Sequence, residues 1–109
     1  MALSEKQLAQ ARENSTNAVS VYSPGSGLTG IITTIHISNT SGAAATFRLF
    51  HDDDGTTYDE STSLAWDSPI AVDEFIQITG HYSVDESGNF AYQSSVANAI
   101  TITLYGAEI

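Results

Sequence analysis

From residue 17 onward the sequence breaks into short runs in which apolar and polar residues alternate, and that rhythm leaves few folds open. In AITITLY (99–105), Ile100, Ile102 and Leu104 alternate with Thr101, Thr103 and Tyr105. A period of two marks a strand with one face buried and the other in water. GIITTIHIS (30–38) is rich in β-branched residues and predicts a second such strand. Strict alternation there puts Ile31, Thr33, Ile35 and Ile37 on one face and Ile32, Thr34, His36 and Ser38 on the other. ATFRLFH (45–51) sets Phe47 and Leu49 against Arg48 and Phe50. NAVSVYS (17–23), TSLAWD (62–67), FIQIT (75–79) and FAYQSS (90–95) read as further strands, and GHYSVDESGN (80–89) as a loop or short strand and a turn. Turn residues separate the runs: PGSG at 24–27, NTSG at 39–42, and Pro69, which closes TSLAWD. The result is about seven or eight short strands at intervals of roughly ten residues, the pattern of an all-β, small antiparallel β-sandwich or jelly roll.

Residues 1–16 differ from the rest. Ser4 and Gln7 have the spacing of a capping box, and Leu8 and Ala11 share one face of a short helix. The division that follows is an N-terminal arm at 1–16, helical or extended, and a β-sandwich domain at 17–109. MALSEKQLAQARE is polar and charged early, unlike the apolar core of a secretory signal.

The chain carries 13 acidic and three basic side chains, for a net charge of −10. Such a surface repels phosphate backbones and anionic headgroups, so neither nucleic acid nor membrane is expected as a partner. Cysteine is absent, which excludes disulfides, thiolate metal sites and thiol nucleophiles.

The most polar stretch is RLFHDDDGTTYDE (48–60). An EF-hand loop needs glycine at its sixth position, oxygen ligands at one, three and five, and glutamate at twelve. With Gly55 at six, Asp54 and Asp52 fall correctly, but Phe50 and Ser61 take the first and last positions. A looser oxygen site from Asp52, Asp54 and Asp59 remains chemically open. The better-supported reading is a turn, because Asp-Gly suits a tight hairpin with both central residues at positive φ. No metal or cofactor is therefore expected.

Nothing in the chain reads as catalytic. Paired carboxylates work when burial separates their pKa values, which a run of exposed neighbours does not offer. His36, His51 and His81 are scattered, and no G-x-S-x-G element occurs. His36 is expected as a packing residue on a strand, and His81 in a loop.

Several stretches resemble small structural proteins of tailed bacteriophages. They are NAVSVYSPGSG, IITTIHISNTSGAAATFRLF, DDDGTTYDESTSLAWDSPI and the terminal ITITLYGAEI, together spanning most of residues 15–109. The resemblance implies a virion component: a capsid decoration protein, or else a tail, baseplate or fibre-attachment piece. It brings no catalytic residues. On this reading the expected partner is the major capsid protein or another virion protein, the expected state a homotrimer, and the location the capsid surface or, alternatively, the tail. Expected partner contacts are Leu3, Lys6, Leu8 and Arg12 in the arm and Phe50, Trp66, Tyr92 and Tyr105 on the strands. A carbohydrate-binding module, stacking sugars on Trp66 and exposed tyrosines, is the alternative from another class.

Overall fold

Each alternating run becomes a strand because its apolar residues meet those of an opposing sheet. The structure is a computed structural model, and it describes residues 4–109. Leu3 lies outside the described residues. The strands are β1 (Lys6–Arg12), β2 (Val19–Tyr22), β3 (Gly30–Asn39), β4 (Ala45–Asp52), β5 (Ser63–Ile70), β6 (Phe75–Val84), β7 (Asn89–Ser94) and β8 (Ile100–Glu108). A 3-10 turn, Glu60–Thr62, precedes β5.

Two four-stranded sheets form, ordered β1-β8-β3-β6 and β2-β7-β4-β5. Four antiparallel pairs are nested: β1 with β8, β2 with β7, β3 with β6 and β4 with β5. The chain thus folds as one long hairpin rolled over on itself, and the β3–β8 and β4–β7 ladders close the two sheets. This is the jelly roll, the more specific of the two architectures expected. The acidic stretch lies at the tip of the rolled hairpin.

One core fills the space between the sheets. Ile35, Ile37, Ile102 and Leu104 enter it from the first sheet, and Phe47, Leu49, Phe90 and Tyr92 from the second. Asn39 is a buried polar hub: its side-chain amide donates to the Ala43 carbonyl at 2.8 Å and its Oδ1 accepts from Ser41 N at 3.0 Å, which shapes the β3–β4 turn.

The strands differ from the sequence reading in four places. In β3 the buried set is Ile32, Ile35 and Ile37, not one starting at Ile31. Thr33 is an extra residue opposite β8, and this bulge reverses the alternation on either side of it. β5 runs through Pro69 to Ile70, because an edge strand tolerates a residue without an N–H. β6 continues to Val84, so His81 sits in a strand and not in a loop.

The fourth difference concerns the N-terminus. Residues 6–12 form no helix; they are the edge strand paired with β8. A helix this short is unstable alone, whereas the open edge of β8 offers a row of backbone partners. A register shift between Gln7 and Ala9 lets Leu8, Ala9 and Ala11 all pack against the core. Of the two arm conformations expected, the extended one is present, and it is built into the sheet.

Candidate functional site

The acidic connection is organised by its own backbone. Asp52, buried at the end of β4, accepts from Asp54 N at 3.2 Å through Oδ1 and from Thr57 N at 2.8 Å through Oδ2. Those bonds, Thr57's first, hold its carboxyl below the usual range. Asp59 accepts from Ser61 N at 2.8 Å and forms a reciprocal capping box with Thr62 at the 3-10 turn. Asp54 is shifted upward by its hydrogen bond to the Asp52 side chain and by the charges of Asp52 and Asp53.

The tight Asp54-Gly55 turn does not form. Neither residue has positive φ, and the connection runs across residues 53–62. Asn89 of β7 helps shape it by donating to the Gly55 carbonyl at 2.8 Å. Oxygens of Asp52, Asp53 and Asp54 lie within 4.8 Å of one another, but both Asp52 oxygens already accept backbone N–H groups.

The aromatic residues expected at partner contacts divide between core and surface. Tyr92 is buried, with its hydroxyl accepting from Glu13 N at 2.7 Å and facing the Ile100 carbonyl at 3.3 Å. Phe50 is also fully buried, on the outer side of its sheet, beneath Tyr58 and the edge of Trp66. Neither side chain is free to meet a partner, because each is covered within its own chain. Trp66 is 39% exposed, and the Arg48 guanidinium lies 3.6 Å from its ring centroid. Arg48 also forks onto Asp67, with Nε to Oδ1 at 2.6 Å and Nη2 to Oδ2 at 3.3 Å. Sequence reasoning missed this cluster, although Arg48 is the sole basic side chain beyond residue 12. Tyr105 is 42% exposed, on the other sheet. Trp66 and Tyr105 lie on different sheets, so these two do not share one stacking platform.

The β1 residues are engaged within the chain. Lys6 Nζ pairs with Glu108 Oε1 at 3.1 Å, Leu8 packs on the core, and Arg12 donates through Nη2 to the Asn98 carbonyl at 2.9 Å.

What remains is the outer face of the β1-β8-β3-β6 sheet. Its register aligns Arg12, Thr101, Ser38 and Phe75 in one row and Gln10, Thr103, His36 and Gln77 in the next. Gln10 Nε2 donates to Thr103 Oγ1 at 3.0 Å, and His36 stacks on Phe75 with ring centroids 5.2 Å apart. Phe75 is 63% exposed. Of the 13 acidic residues, these four strands hold one, Glu108, at the end of β8. For so acidic a chain this face is rich in hydroxyls and poor in carboxylates, with Arg12 in one row and Glu5 accepting from Thr33 Oγ1 at 3.1 Å further along.

No family model and no curated protein matches the chain. Among solved structures it is similar to a chain in the structure of infectious bursal disease virus Gx strain, with a TM-score of 0.52 and 8% sequence identity. The match covers 98% of this chain and 39% of that one, so this chain spans well under half of that neighbour's length. The likeness is one of fold.

Proposed function

We propose that the protein is a non-enzymatic structural component of a virus particle, and more narrowly a bacteriophage capsid decoration protein that binds the outer surface of the major capsid protein shell. The observation that carries the virion reading is the strand order β1-β8-β3-β6 and β2-β7-β4-β5, with a fold similar over nearly the whole chain to one from a virus structure. The narrower assignment rests on the sequence resemblance to phage structural proteins. The carboxylate-poor sheet face supports docking, and the chain's acidity argues against nucleic acid and membrane as partners. No cofactor is needed for such a role.

A homotrimer suits it: several weak footprints held in one rigid body bind far more tightly than one. Solution mass tests this, with a species near three times 11.6 kDa expected. A tail, baseplate or fibre-attachment component would use the same fold, and location separates the two. The deciding experiment images particles with and without the protein. Added density on the shell lattice supports decoration, density confined to the tail supports the alternative, and no density on any particle overturns the virion reading.

A further inference from the structure

A sheet edge is a template for another strand, and folded chains blunt their edges with charge, proline, bulges or short length. Three of the four edges here are blunted. β1 carries Lys6, Arg12 and a register shift. β2 has four residues, a register shift and Pro24 just beyond. β5 has Pro69, two register shifts and Asp67 in the left-handed region at φ 50.

β6 lacks most of these devices. It is ten residues long, without proline, Lys, Arg, Asp or Glu. One extra residue lies between Thr79 and Tyr82, which leaves Phe75–Thr79 regular. Asn39 N donates to the Glu74 carbonyl at 2.9 Å. Alternation along the antiparallel ladder then turns the N–H and C=O groups of Phe75, Gln77 and Thr79 to the open side. Ile76 and Ile78 beside them are only partly buried.

Charge selects the occupant. The neutral run is bracketed by Asp73 and Glu74 at one end and by Asp85 and Glu86 at the other, all exposed. A second copy paired edge to edge, parallel or antiparallel, would set acidic end against acidic end. We infer that the β6 edge receives an extended segment of another protein, a neutral alternating run about as long as β6 itself, ten residues, with Lys or Arg at both ends, added as the next strand of the sheet. The inference stands apart from the virion assignment, because strand addition needs only the edge and its flanks.

The test uses the full chain and three synthetic peptides: KRTVTVTVTVTVRK, EETVTVTVTVTVEE, and the basic peptide N-methylated at alternate amides on its pairing side. Residue-resolved hydrogen–deuterium exchange is the readout. The basic peptide should slow the Phe75, Gln77 and Thr79 amides by about tenfold or more at low salt, and the other two should leave them unchanged. Gln77→Pro, at an amide outside the ladder, should abolish the effect, and joint Asp73→Asn and Asp85→Asn substitution should weaken it. The N-methylated peptide makes the same point without altering the protein. Equal slowing by all three peptides, or none by any, overturns the inference. So does slowing without peptide that rises with protein concentration alongside a doubled mass, which would assign the edge to a second copy.

Discussion

The Tyr22 hydroxyl donates a 2.7 Å hydrogen bond to Glu108 Oε2, tying β2 of one sheet to the last strand of the other. Glu108 also meets Lys6, so three strands converge on one carboxylate. The Tyr22 bond, then the Lys6 bond, holds the Glu108 carboxyl below its ordinary value of 4.5. A lowered folded-state value contributes stability that is fully present above about pH 4.5 and is lost as pH falls through the folded value. Burial, aided by Glu108, raises the Tyr22 phenol, so its share is present below its ordinary value of 10.0 and is lost as pH rises beyond it. Denaturant titrations from pH 7 to 3 should show Glu108→Gln losing less stability on acidification than the parent chain. Tyr22→Phe should cost about 1–2 kcal/mol at neutral pH. Parallel acid curves for parent and Glu108→Gln would show that this contact is not the acid-sensitive one.

Two glycines mark close approaches that only hydrogen fits. A Cβ on Gly106 would run into the backbone carbonyl of Ile31, and one on Gly30 into the Tyr22 ring and hydroxyl. Backbone yields less than the end of a side chain. Gly106→Ala is therefore expected to destabilise more than Gly30→Ala, with overpacking of this kind costing roughly 1–3 kcal/mol or more. Thermal melts of the two variants check the order.

Because β1 is a sheet strand, removing residues 1–12 should do more than trim a terminus. The deletion exposes the edge of β8 and strips Leu8, Ala9 and Ala11 from the core. Leu8→Ala alone should cost about 1–2 kcal/mol. The deletion should lower the melting temperature by more than about 10 °C or unfold the chain. An unchanged melt would mean that β1 pairs without stabilising.

Burial separates the aromatic residues by consequence. Phe50→Ala and Tyr92→Ala should each cost about 3–5 kcal/mol, as large-to-small changes in a packed interior do. Tyr105→Ala, on the open sheet face, should stay within about 0.5 kcal/mol. If Tyr105→Ala weakens particle binding while leaving the melt unchanged, the outer face of the β1-β8-β3-β6 sheet is the docking surface; unchanged binding removes Tyr105 from it.

Calcium is expected to leave the melting temperature unmoved. Asp52, the most buried of the three neighbouring carboxylates, has both oxygens committed to Asp54 and Thr57. Specific binding would stabilise by about 2.7 kcal/mol at a hundredfold excess over Kd. A rise of several degrees with calcium, reversed by chelator, would show that the loop opens to take an ion.

The strand content of this protein is local information. Ile100, Ile102 and Leu104 alternate because one side of β8 meets the core, and a period of two is visible in any window of five residues. The turns before β3 and before β4 are legible for the same reason: glycine, proline and asparagine act on their own neighbours. Three features are not local. Thr33 shifts the phase of β3 only because β8 passes it one residue short, so the inward face at Ile32 was invisible beforehand. Lys6–Arg12 is a weak helix by itself and becomes a strand because β8, more than eighty residues later in the chain, leaves an edge beside it. Phe50 and Trp66 look equivalent on neighbouring strands, yet the 53–62 connection folds back over one and leaves the other partly in water. Backbone propensity and side-chain periodicity are written residue by residue. Which edges remain open, which faces are covered and where the charges gather depend on how distant segments are brought together, and only the tertiary fold decides that.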